Sequence, residues 1–143
     1  MVLKPQDVYV LLKLVAAGGC RPPYSQLAAE LSMSPSEVHA CVEASPDKRA
    51  APWTSLEDRP NISALEEFLL HGLKYVFPAE RGEMSRGVAT AYGAEPLRSL
   101  IAETDEPIPV WPHAEGHQQG VSLTPLYKTA PDAALRDESF HQL

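Results

Sequence analysis

The stretch YSQLAAELSMSPSEVHACVEAS, Tyr24 to Ser45, decides how the first half of the chain is read. Leu27, Ala28 and Leu31 recur at helical spacing, which predicts a short helix over about Gln26 to Leu31 with Ser25 as its cap. Ser32-Met33-Ser34 breaks that helix. A second helix then opens on Ser34-Pro35-Ser36-Glu37, which combines a serine cap, proline at the first helical position and a glutamate three residues after the cap. Val38, Cys41 and Val42 give this second helix an apolar side. Two helices joined by so tight a turn need small residues where they meet, and Ala28 and Ala29 provide them.

With Val38 directed inward, a step of about 100° per residue places Ser36, Ala40 and Glu43 on the far side, flanked by Glu37 and His39. Small and hydrogen-bonding side chains on such a face suit close approach to base edges. Upstream, Val8, Leu11, Leu12 and Val15 predict a helix over Pro5 to Ala17, with proline in its first turn and Gly18-Gly19 at its end. Downstream, PDKRAAPWTSLEDRP (residues 46–60) has no helical period and reads as a short hairpin or irregular loop anchored by Trp53. A fourth helix is expected from Asn61 or Ser63 to Phe77, with Ser63 and Glu66 as a capping box. Ile62, Leu65, Leu69, Leu73 and Val76 form its buried stripe.

The pattern Leu27-Ala28, Leu31, Met33-Ser34, Val38 resembles the helix-turn-helix of bacterial winged-helix transcription regulators, including the multiple-antibiotic-resistance (MarR-like) type. The resemblance covers residues 6–45 and extends loosely through a wing to a helix ending near residue 76. It implies an N-terminal winged helix-turn-helix over residues 1–78; together with the proline-rich, partly extended region that the composition of 79–143 predicts, the expected fold is mainly α with small β content. The resemblance also implies a sequence-specific regulator of transcription that binds double-stranded DNA as a homodimer, with half-sites about one helical turn apart. On that reading the DNA-facing residues are Ser25, Gln26, Ser34, Ser36, Glu37, His39, Ala40, Glu43, Lys48 and Arg49. Ser32 stands where the family usually carries glycine, and the turn is expected to do without a positive φ there. The second helix of the pair has no arginine or lysine, so phosphate attraction is assigned to Arg21, Lys48, Arg49, Arg59 and the helix N-termini near Ser25 and Ser34.

Charge agrees with a restricted nucleic-acid surface. The chain carries a formal net charge of −7. Residues 1–60 hold six Lys/Arg against seven Asp/Glu, whereas residues 61–143 hold six against twelve, so the first half is the less repulsive surface for a polyanion. The acidic second half is assigned to dimerisation or to a protein partner, which leaves an antitoxin-like or adaptor module as the alternative function. Lys4, Asp7 and Lys13 interrupt the first apolar stretch, so no leader is expected, and no apolar run is long enough to span a membrane. Cys20 and Cys41 have neither metal-ligand spacing nor the density of a disulfide scaffold, which points to reduced thiols and a cytoplasmic setting.

The remaining motifs read as structure. Nine of the fourteen prolines lie from Pro52 onward, which breaks that part of the chain into short pieces. PIPVWP and GVSLTPLY are expected to be extended segments on either side of a hairpin loop, HAEGHQQ, and PDAALRDE a terminal helix opening on Pro131. His113 and His117 fall in that exposed loop and do not form HExxH. ERGEMSRG, Glu80 to Gly87, lacks the signature of a phosphate loop and reads as a connector whose Arg81 and Arg86 pair with nearby acids. His71 is expected to be half-buried against a backbone carbonyl. No nucleophile, base or cofactor motif stands out, so neither an enzyme nor a cofactor or metal is expected.

Overall fold

Pro5 opens the first helix, α1 (Pro5–Ala16), because a first-turn residue has no intrahelical use for the N–H that proline lacks. The Lys4 N–H is taken by the Asp7 carboxylate at 2.9 Å. The computed structural model describes residues 3–18, 21–43 and 60–143. The chain divides into two compact units, Met1–Pro78 with Leu143, and Ala79–Gln142. Among the described residues it is mainly helical with one small three-stranded sheet. The expected wing, Trp53 and Cys20 lie outside the described residues.

In the first unit, α1 is followed by α2 (Tyr24–Leu31) and α3 (Pro35–Glu43). Val8, Val10, Leu27, Leu31 and Val38 are all at 1% exposure or less. Each such side chain contributes about 1.5–3 kcal/mol by leaving water. The buried arc of α1 runs through Val8, Tyr9, Leu11 and Leu14, and leaves Leu12 and Val15 half-buried. Tyr9 explains the shift: its hydroxyl donates to the Leu31 carbonyl at 3.2 Å and so satisfies an end-of-helix acceptor of α2. Lys13, though buried, reaches the Glu30 carboxylate at 2.8 Å and ties α1 to α2 through an ion pair whose acidic partner is 37% exposed.

Two expectations at the ends of α2 are corrected. The helix starts at Tyr24, with Pro23 at the cap position, so Ser25 lies inside the first turn and caps nothing. Ser32 does adopt the left-handed conformation, φ 53° and ψ 43°. The reason is a hydrogen-bonded C-terminal closure, in which the Met33 N–H donates to the Ala28 carbonyl at 2.9 Å. The start of α3 follows the sequence closely. The Ser34 N–H donates to Glu37 Oε2 at 2.9 Å, its hydroxyl donates to the same oxygen at 2.8 Å, and the Glu37 N–H donates to the Ser34 hydroxyl at 3.2 Å.

The fourth helical segment is two pieces, α4 (Ile62–His71) and α5 (Leu73–Val76), separated at Gly72. Asn61 is the cap, accepting from the Ala64 N–H at 3.1 Å, so Ser63 and Glu66 do not form a capping box. Of the expected buried stripe only Leu65 is buried, at 3% exposure. His71 is exposed, not half-buried.

The second unit is built on β1 (Arg81–Ala89), β2 (Pro109–Pro112) and β3 (Gln118–Leu123). The segment expected to be a connector, Glu80 to Gly87, therefore lies almost wholly in a strand. Between β1 and β2 come a single 3-10 turn (Ala91–Gly93) and α6 (Leu97–Leu100). After β3 come α7 (Ala130–Arg136), with Pro131 in its first turn, and α8 (Glu138–His141).

Both β2 and β3 pair antiparallel with β1, which makes them parallel to each other and closes the three strands into a ring. They are not the hairpin expected from HAEGHQQ. β2 pairs with the C-terminal third of β1 (Ala89 with Val110, Gly87 with Pro112), and β3 pairs with the rest on its other edge (Gly87 with Gln118, Ser85 with Gly120). The chain changes edges over residues 113–117, and it does so directly over Gly87. A Cβ on Gly116 would overlap the Gly87 backbone, and one on Gly87 would overlap the Trp111 carbonyl. Ring closure meets the same limit at Gly120, where a Cβ would collide with the Ile108 carbonyl. Val88 and Val110 fill the small interior, and Ala130, Ala133, Ala134 and Phe140 supply the buried side of α7 and α8.

Candidate nucleic-acid interface

The face of α3 opposite Val38 carries Ser36, His39 and Ala40, and all three are exposed. They are exposed because Val38 is fixed at 0% exposure and the helical period does the rest. Ser25 and Gln26, in the first turn of α2, are exposed as well. Glu43 closes α3. Lys48, Arg49 and Arg59 lie outside the described residues.

His39 is not isolated on this face. Its ring meets Tyr24 of α2 edge to face, with centroids 5.3 Å apart and planes at 72°. The Arg21 guanidinium lies 5.4 Å from the centre of the same Tyr24 ring and donates to its hydroxyl. A cation, a phenol and an imidazole thus form one cluster at the edge of the α3 face. Periodicity identifies His39, and charge counting identifies Arg21. Tyr24 carries no signal of its own, because its role depends on how α2 packs on α3.

Three of the expected contact residues are engaged within the chain. Ser34 and Glu37 bond each other, which places a carboxylate at the N-terminus of α3. A negative charge there uses the favourable end of the helix dipole and repels a phosphate, so the Ser34 N-terminus is not the anion site expected from sequence. The amide of Gln26 donates to Glu30 Oε1 at 2.9 Å, within the Lys13–Glu30 connection. At α2 no side chain caps the first turn, and Arg21 is close in sequence and in space.

Cys41, on α3, is half-buried. Burial, followed by the charge and hydrogen bond of Asp7, pushes its thiol from 9.0 up to about 12. It is therefore a protonated packing residue at neutral pH, without thiolate nucleophilicity.

The other histidines serve the second unit. His113, expected in an exposed loop, has Nε2 2.8 Å from Asp132 Oδ1, and its Nδ1 accepts from the Glu115 N–H at 3.1 Å. That acceptance leaves the ring proton on Nε2 in the neutral tautomer, directed at the carboxylate. The pair ties the edge-changing segment to α7. His141 sits 2.8 Å from the Ala89 carbonyl and 5.9 Å from the Trp111 ring. Arg86 donates through Nε to the Gly116 carbonyl at 2.6 Å; its partner is the crossing backbone, where an acid was expected. His117 is exposed. Among the described residues no three His, Cys, Asp or Glu side chains converge as metal ligands, and no helix is long and apolar enough to cross a membrane.

No family model, no characterised protein and no solved structure matches this chain.

Proposed function

We propose that this protein is a sequence-specific, double-stranded-DNA-binding regulator of transcription that acts as a homodimer, with α2 and α3 forming the helix-turn-helix of a winged domain over residues 1–78. One observation carries the reading: α3 presents an exposed polar row, Ser36, His39 and Ala40, with the Arg21–Tyr24 pair packed against its edge. In this arrangement Ser36 and His39 read base edges in the major groove. Arg21 and the first-turn amides of α2 hold a phosphate. Lys48 and Arg49 add phosphate contacts, and residues 79–143 serve dimerisation or a partner.

Selection of duplexes from a random pool tests this reading. Ser36→Ala and His39→Ala are expected to change which sequences are preferred. Arg21→Ala is expected to weaken binding to all sequences alike and to lower the slope of log affinity against log salt by about 1. If selected duplexes bind no better than random ones at low salt, the DNA reading is wrong.

A second reading, a protein-interaction module of the antitoxin or adaptor kind, has its own observation. Residues 95–107 are exposed throughout and carry Leu97, Leu100 and Ile101 followed by Glu103, Asp105 and Glu106. Exposed apolar residues beside an acidic run fit a partner groove with a basic rim. Co-purification of the full chain with the product of the adjacent gene, lost in Leu100→Glu, would favour it. Failure to co-purify would count against it.

A further inference from the structure

The row Ile62, Leu65, Leu69, Leu73 and Val76 has the three-and-four spacing of a buried helix face. The described residues of the chain cover only part of it. Leu65 is buried and Leu69 and Leu73 are half-buried, while Ile62 is 53% and Val76 51% exposed. Leu70, beside the row, is 63% exposed. An apolar row with this period, left to water at both ends, is what one side of a helix–helix contact looks like without its partner.

The charges along the same element identify the partner. Glu66 and Glu67 lie in the N-terminal half, whereas Lys74 lies in the C-terminal half. Glu66, Glu67 and Lys74 are exposed, and the Lys74 ammonium rests 5.0 Å from the Tyr75 ring centre. A strip that is acidic at one end and basic at the other is complementary to itself when reversed. Two such strips run antiparallel, with the two-fold axis near Leu69 and Leu70, set Ile62 against the partner's Val76 and Leu70 against the partner's Leu70. The same arrangement brings Glu66 to the partner's Lys74. Parallel pairing would instead oppose like charges. We propose that α4–α5 is the surface on which a second copy of this chain docks, antiparallel and isologous. The proposal deepens the DNA-binding reading, on which the choice of a second copy rests, by placing its two-fold contact in residues 62–76 and leaving residues 79–143 to a partner.

Sedimentation of the full chain without DNA tests it. The wild type is expected to show a concentration-dependent monomer–dimer equilibrium. Leu70→Glu, at a site already open to water, is expected to raise the dissociation constant at least about tenfold while leaving the helical circular dichroism unchanged. Glu66→Lys and Lys74→Glu are each expected to weaken the dimer, and the double exchange to restore it to within about threefold of wild type. A wild type that stays monomeric, or a dimer indifferent to Leu70→Glu, overturns the proposal. Two single exchanges that add instead of cancelling overturn the antiparallel pairing. Duplex selection is scored separately: a chain that dimerises in this way but prefers no sequence refutes the DNA reading and leaves the docking surface standing.

Discussion

In the helical unit the core is closed by side chains, with Val8, Val10, Leu27, Leu31 and Val38 all at 1% exposure or less. In the strand unit the closest packing is between backbones, where Gly116 lies on Gly87 and Gly120 on the Ile108 carbonyl. The first arrangement fails by degrees, because a truncated side chain leaves a cavity that its neighbours partly refill. The second has no slack, since a single added carbon meets peptide atoms that cannot rotate away.

The largest expected effect therefore comes from one methyl group. Gly116→Ala should cost about 3 kcal/mol or more in denaturant unfolding. Gly82→Ala, whose Cβ would meet only the Ser122 side chain at 3.4 Å and beyond, should cost under about 1 kcal/mol. Equal midpoints for the two variants would remove the close-approach account of the ring. Leu27→Ala comes next, at about 3 kcal/mol within a usual range of 2–5, read from the shift in denaturation midpoint.

The third effect is a pH dependence confined to the helical unit. The Cys41 thiol is held up to about 12 from 9.0, so the unfolded chain gives up that proton first as pH rises. Its contribution is complete below pH 9.0 and is lost between 9.0 and about 12, with a slope no steeper than about 1.4 kcal/mol per pH unit. Cys41→Ser should flatten that alkaline decline in unfolding free energy; an unchanged decline would assign it to other groups. The smallest effect is a gain. Ser32→Gly relieves a left-handed residue and should stabilise by about 0.5–1 kcal/mol in thermal unfolding, and a loss there would mean that the serine side chain supports the turn.

The same contrast governs what the sequence made visible. Leu27, Ala28, Leu31 and Val38 sit at helical spacing because side chains do the packing, and the Ser34–Glu37 cap is local, so both could be read from residue order. The exposure of Ser36 and His39 followed from Val38. β1 was misread because its closest packing is made at Gly87, by backbone, and its first four residues, Arg81 to Met84, are all exposed, so no apolar alternation marks it. The extended character of β2 and β3 was legible. Their pairing was not, since each is placed by β1, a strand that ends nineteen residues or more before either begins. At the candidate interface the Arg21–Tyr24–His39 contact was hidden for a similar reason, because it spans two helices whose packing no local pattern encodes.

The route of the chain over Gly87 also fixes an order of events during synthesis. β1 leaves the ribosome with both edges unpaired, and neither is covered until residues 109–123 have emerged. Contacts so distant in sequence form late, and an open strand in the interval is a template for pairing with other chains. The side chains that β1 exposes include Arg81, Glu83 and Arg86, and Glu80 lies just before it. In the finished ring most of this charge looks superfluous. On the nascent chain it guards a strand that has no partner yet.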